Sequence, residues 1–199
     1  LRSTDPNGLN RPAEEAAETA KKVASAVDVP VIVWGSDNDD KDAEVLRKVS
    51  EVCEGENLVV GPVVEGNYKI VGAGAIGYKH TAVASTPIDI NLAKQLNILI
   101  TDMGLPAERV VMDPTCAGVG YGMEYGYSVM ERLRLAALQG DGMTQLPMLV
   151  TVGYEAWRQK ESKVGEGVPE AWGDWKERAI DWEVVTASAL IEAAADTVL

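Results

Sequence analysis

Short β-branched runs alternate along this chain with longer stretches in which apolar residues return every third or fourth position. The runs Val29–Trp34, Asn57–Val60, Thr81–Ser85, Val110–Asp113, Pro147–Val152 and Asp196–Leu199 predict strands. Between them Pro12–Val27, Asp40–Cys53, Asn67–Tyr78, Asp89–Met103, Ser128–Leu138 and Asp174–Ala194 predict helices, as the spacing of Val45, Val49 and Val52 illustrates. Pro12 suits a first helical turn, and Asp89 and Ser128 suit caps. The strands are apolar through their length, the pattern of parallel strands covered by helices on one side and a filled interior on the other. One long stretch, Arg158–Gly173, lacks periodicity and holds Gly165, Gly167, Pro169 and Gly173.

Alternating βα units permit a doubly wound sheet or a (β/α)8 barrel. Polar or glycine-rich clusters follow the strands: WGSDND, GPVVEGN, STPIDIN, DPTCAGVGYG and TVGYEAW. An open sheet needs chemistry only near its switch point, whereas in a barrel all these loops converge on one mouth. The expectation is therefore an α/β TIM barrel forming a single domain over residues 1–199. Barrels of this type run to about 250 residues. The opening LRSTDPNG reads as the tail of a strand and its loop, and the chain stops inside a strand. An incomplete barrel is expected, lacking the first βα unit and the end of the last.

Lys69–His80 spells Gly72-x-Gly74-x-x-Gly77, the lettering of a dinucleotide-binding loop. That motif requires a strand before the glycines and a helix after them. Here EGNYKIV precedes them with a helical pattern, and the strand TAVAS follows within a few residues. The glycines are read instead as a helix face packed close to a neighbour.

Thirty-one acids against 18 bases give a net charge of −13, which repels nucleic acid and anionic membrane. No apolar run approaches the roughly 20 residues that span a bilayer. Two separated cysteines, Cys53 and Cys116, supply neither a disulfide framework nor a four-ligand metal site, and a cytoplasmic protein is expected. The single histidine, His80, lies between a predicted helix and strand and is read as a helix C-terminal partner rather than a ligand.

STPIDINLAKQLNILI, DPTCAGVGYGMEYGYSVMERLRLAALQGD, VGYEAW and GENLVVGPVVEGNYK together resemble one family. It is the small subunit of the corrinoid iron–sulfur protein, called the delta subunit in the archaeal acetyl-CoA decarbonylase/synthase complex. The resemblance runs from about STDPNG to the end. It implies a non-catalytic barrel paired with a large (gamma) subunit that carries a corrinoid domain and a 4Fe–4S cluster. The corrinoid (cobalamin) would lie between that subunit and the barrel mouth, and its cobalt would ferry a methyl group between a methyl-pterin methyltransferase and acetyl-CoA synthase/CO dehydrogenase. The setting is the reductive acetyl-CoA pathway or acetate cleavage in methanogenesis. A chain with two separated cysteines cannot hold a four-thiolate cluster, which agrees with that division. The resemblance places an apolar residue at Cys116, which is read as core filler.

On this reading the mouth offers hydrogen-bonding groups to a rim of amide side chains: Asn7, Asn67, Thr86, Asn91 and Thr115. Gly118 and Gly120 would admit close backbone approach to a flat macrocycle, and Tyr121 and Tyr154 would present flat faces. Asn and Thr at such places also simply cap helices, and Asp89 is read as an N-terminal charge stabilising its helix. Two alternatives stand beside this one. The first is a pterin-binding methyltransferase barrel with Asp5, Asp37, Asn67 and Asp113 at strand ends, although Asp113 before Pro114 also suits a turn. The second is a purely architectural subunit.

Overall fold

In the computed structural model, which describes residues 2–199, four strands lie side by side in chain order. They are β1 (Ile32–Trp34), β2 (Val59–Val63), β3 (Thr81–Ser85) and β4 (Val110–Asp113). β1–β2 and β2–β3 run parallel, with Ile32 opposite Val59 and Val59 opposite Thr81. The crossovers are α2 (Asp39–Val52), α3 (Tyr68–Tyr78) and α4 (Ile90–Asp102), and α1 (Ala13–Ala24) precedes β1. A doubly wound sheet reverses its strand order at a switch point; this one does not. Two further strands, β5 (Leu149–Val150) and β6 (Thr197–Val198), form a separate parallel pair. The fold is thus α/β with parallel sheets, and the strands form two sheets rather than one closed ring.

Two compact units are distinguished: the described residues up to Thr86 with Leu92–Met112, and Pro87–Asn91 with Asp113–Leu199. In the first unit α1 packs on α2 and α2 on α3. The buried face of α1 is all alanine (Ala13, Ala16, Ala17, Ala20 and Ala24), and α2 contributes Val45, Leu46 and Val49. The sheet supplies Val33, Val60, Val63, Ala82 and Val83 to the same core. In the second unit α5 (Met123–Leu138) and α8 (Trp175–Glu192) are the long helices, with the short α6 (Val152–Ala156) and α7 (Lys160–Lys163) between them. The Arg134 guanidinium donates to the carbonyls of Leu146 (3.2 Å) and Ala194 (3.1 Å) and pairs with the Asp196 carboxylate. That carboxylate also accepts the Met148 N–H at 2.7 Å, tying the entrances of β5 and β6 together.

The glycine motif sits inside α3, with no strand-to-helix turn at the glycines. A Cβ at Gly74 would come 3.3 Å from the Ser50 side chain of α2, and one at Gly72 would meet Met103 at 3.6 Å. Gly77 faces open space, so the close packing belongs to Gly74 above all.

Several boundaries depart from the sequence reading. β2 extends through Gly61 and Pro62 to Val63, residues expected in the loop after the strand. Gly61 and Pro62 occupy an irregularity between Val60 and Val63, where Val83 would sit 2.8 Å from any Gly61 Cβ. α5 begins at Met123, after Gly122 in a left-handed conformation (φ 98°), and Ser128 is therefore a mid-helix residue and not a cap. Val152, expected to end a strand, and GYEA, expected as loop, form α6 and shorten β5 to Leu149–Val150. Arg158–Gly173 is not bare loop either, containing α7 and a 3-10 turn at Glu170–Trp172. Pro12 stands at the N-cap of α1, one position before the first turn.

Candidate functional site

Polar side chains after the strands first build their own loops. After β1, the buried Asp42 carboxylate accepts from the Ser36 N–H (2.7 Å), the Ser36 hydroxyl (2.9 Å) and the Asn38 N–H (3.3 Å). A Cβ at Gly35 would fall 2.4 Å from that carboxylate, so this loop requires glycine there. After β2, the buried Asn67 accepts from the Val64 N–H (2.9 Å) and donates to the Pro62 carbonyl (3.2 Å). After β4, Asp113 Oδ1 accepts the Thr115 N–H at 3.0 Å, the Asx turn that the following proline favours. Asp5 does the same for the Asn7 N–H at 2.8 Å, and Asp89 for the Asn91 N–H at 2.7 Å at the start of α4.

Of the residues singled out from sequence, Asn7, Asn67 and Thr86 belong to the first unit. Asn67 and Thr86 follow the neighbouring strands β2 and β3 and so share the carboxyl edge of the sheet. Asn91, Thr115, Gly118, Gly120, Tyr121 and Tyr154 belong to the second unit. There the segment from Thr115 to Tyr121 runs against α6 and α8. Gly118 is buried, and a Cβ on it would meet Gln159 at 3.3 Å and the Glu155 carbonyl at 3.5 Å. The Val119 N–H donates to Thr186 Oγ1 (3.2 Å), and its carbonyl accepts the Trp182 indole N–H (3.1 Å). Gly120 (φ 79°) is exposed, and a Cβ there would touch only Trp182, at 3.9 Å. The Tyr121 hydroxyl donates to Glu161 at 2.7 Å, and this bond raises its pKa above the ordinary tyrosine value. On α6 the Tyr154 ring carries the Arg158 guanidinium 4.8 Å from its centre. The result is an outward-facing loop held from beneath.

The clamps on this loop, Gln159, Glu161, Trp182 and Thr186, went unnoticed in the sequence. A usable signal was present: four of the five tryptophans fall between positions 157 and 182. Arg178 completes the support. It donates to the carbonyls of Glu161 (2.8 Å), Val164, Trp172 (3.0 Å) and Gly173 (3.3 Å), binding the Arg158–Gly173 stretch to α8.

Cys116 lies under the loop. Burial first, then the Asp113 carboxylate, pushes its thiol up to about 12, so it stays protonated and un-nucleophilic. His80 is buried; its Nε2 donates to the Ser50 carbonyl (3.0 Å) in the last turn of α2, and Nδ1 accepts the Leu58 N–H (3.1 Å). Both nitrogens are thus committed to backbone. Among the described residues no three His, Cys, Asp or Glu side chains are grouped so as to hold a metal ion, and no helix is long and apolar enough to cross a membrane.

Comparison with known proteins gives this arrangement a family. Residues 1–197 match the family described as CO dehydrogenase/acetyl-CoA synthase delta subunit. The acetyl-CoA decarbonylase/synthase complex subunit delta 1 of Methanosarcina thermophila is 41% identical over 201 residues, covering 98% of this chain and 46% of that protein. The delta subunit of Methanopyrus kandleri is 40% identical over 200 residues, covering 100% and 49%. The chain spans about half the length of the curated relatives it matches. Among solved structures, a Yersinia pestis DHPS with the pterine-sulfa conjugate Compound 16 superposes with a TM-score of 0.59 over 94% of this chain and 68% of that one. At 14% identity this is a likeness of fold, to a TIM-barrel-like protein. With the family match running from residue 1 to residue 197, the chain belongs to the CO dehydrogenase/acetyl-CoA synthase delta subunit family.

Proposed function

We propose that this chain is the barrel part of a non-catalytic delta subunit that covers a corrinoid carried by a larger iron–sulfur (gamma) subunit. The observation that carries the reading is the family match along virtually the whole chain. The likeness to a TIM-barrel-like protein supports an incomplete (β/α)8 barrel, in which the strand-end loops would gather at one mouth.

A flat macrocycle rimmed with amides needs backbone it can approach, flat faces and hydrogen-bonding groups. The second unit meets these needs: Gly120 is open to approach, and Tyr121 and Tyr154 are part-exposed rings fixed by Glu161 and Arg158. Gly118 is packed inward, so close approach falls to Gly120, with Thr115 and Asn91 adding polar groups in the same unit. Asn7, Asn67 and Thr86 lie in the first unit and stand outside this set. When bound, the corrinoid would supply the cobalt chemistry of methyl transfer between a methyl-pterin methyltransferase and acetyl-CoA synthase/CO dehydrogenase. This chain's part is to orient the macrocycle, exclude water and yield to the arriving partner. The 4Fe–4S cluster belongs to the partner and the setting is cytoplasmic. Against a pterin site of the chain's own, Asp5, Asn67 and Asp113 each commit a side-chain oxygen to their own loop.

The test is Gly120→Asn, because asparagine tolerates the left-handed backbone at this position and adds bulk into open space. Its thermal melt should match wild type. Assembly with the large subunit should weaken, or methylation of the reduced cobalt in the assembled pair should slow severalfold. If both stay unchanged the loop faces elsewhere. Saturable binding of a methyl-pterin by the chain alone would favour the pterin-binding alternative.

A further inference from the structure

Beside the glycine loop, wholly within the second unit, lies a cleft of about 480 Å³. Its lining includes Val119, Trp172, Asp174, Glu177, Asp181 and Trp182. We propose that this cleft takes an arginine side chain presented by a protein partner.

Both indoles are set in place beforehand. Trp182 is fixed by its N–H to the Val119 carbonyl at 3.1 Å, and Trp172 by the Arg178 guanidinium 5.3 Å from its ring centre. Tryptophan is the best aromatic partner for a cation, and rings already in position lose little entropy on binding. The charge in the cleft is unbalanced. Among the described residues Arg178 is the only cation lining it, and that guanidinium is spent on four backbone carbonyls. Asp174 caps α8 through the N–H groups of Lys176 (2.8 Å) and Glu177 (3.0 Å). The side-chain carboxylates of Glu177 and Asp181, one turn apart on α8, have no ion-pair or hydrogen-bond partner among the described residues. Indole walls with carboxylates at the rim complement a planar cation, and a guanidinium satisfies carboxylates and aromatic faces together. A net charge of −13 on the chain steers basic surfaces toward it.

This rests on the reading that the chain docks on a larger subunit, yet its chemistry is tested separately. In the 15N-labelled chain, the indole N–H resonances of Trp172 and Trp182 are followed while N-acetyl-arginine amide is added. Saturable shifts of these two are expected. N-acetyl-citrulline amide, of the same shape without the charge, should produce none, and E177Q/D181N should weaken arginine binding at least about tenfold. Equal response to citrulline, or an unaffected double variant, overturns a cation site. Tighter binding of choline than of the arginine probe replaces the protein partner with a small organic cation. In the assembled pair, E177Q/D181N should weaken association with the large subunit, most at low salt. Unchanged association overturns the partner assignment, whereas failure of the Gly120→Asn test overturns the corrinoid reading alone.

Discussion

His80 joins the end of one helix to the residue before β2: its Nε2–H reaches the Ser50 carbonyl of α2 at 3.0 Å while Nδ1 receives the Leu58 N–H at 3.1 Å. Only the neutral ring can both donate and accept. Burial lowers the pKa below the usual histidine value; the bond to Ser50 opposes this shift, and the charge on Arg109 adds to it. The unfolded chain therefore binds the proton more readily than the folded one. The stability this ring contributes should be complete above about pH 6.5. It should fall as the pH drops from there toward the folded pKa. Thermal melts between pH 8 and pH 5 should show this slope, and His80→Ala should flatten it while lowering stability by about 1–3 kcal/mol through the two orphaned backbone groups.

Two glycines of α3 should answer differently to an added side chain. Gly77→Ala adds a methyl to open space and relieves a helical glycine, so stability should rise by about 0.5–1 kcal/mol. Gly74→Val should lose more than that, since even a Cβ lies 3.3 Å from Ser50. Denaturant melts separate the two signs. Neither variant should alter binding of a nicotinamide dinucleotide, which isothermal titration should find absent in the parent chain.

How legible this was in the sequence depended on where the governing contact lay. The α2 and β3 patterns could be read because helix and strand periods are local, and Asp89 was visible as a cap because its acceptor lies two residues from the donor. β2 was cut short at Gly61 because the reason for glycine there is Val83, on another strand. The start of α5 was misplaced because Ser128 is a good cap by type, while Gly122 and Gly126 permit an earlier turn. A Cβ on Gly126 would lie 3.2 Å from the Thr115 carbonyl. Arg158–Gly173 read as irregular by composition, and what orders it is tertiary, the bonds of Arg178 and Trp175 on α8 to its carbonyls. The tryptophan cleft was hidden because its far wall, Val119, reaches the stretch Trp172–Val185 only through tertiary contacts.

Cys116 should be chemically silent. Its thiol is buried and pushed up to about 12, and Cys53 is also buried with its pKa raised, chiefly by burial. A thiol reagent such as dithionitrobenzoate at pH 8 should label neither in the native chain and both after denaturation. Rapid labelling of Cys116 in the folded protein would mean that the loop above it opens, since the thiolate and not the thiol reacts.

Arg178 carries the last prediction. Its guanidinium reaches four carbonyls, those of Glu161, Val164, Trp172 and Gly173, and lies over the Trp172 ring. Trp175 adds a parallel tie, its indole N–H meeting the Ser162 carbonyl at 2.8 Å. A lysine keeps the charge but offers three donors from one point and no plane to stack, so Arg178→Lys cannot serve carbonyls spread over four residues. Arg178→Lys should destabilise the chain by about 1–3 kcal/mol. More diagnostically, amide exchange should quicken across residues 160–174 while the amides of β1 to β4 keep their protection. Uniform acceleration across the whole chain would show that the arginine supports global stability instead of the loop it touches.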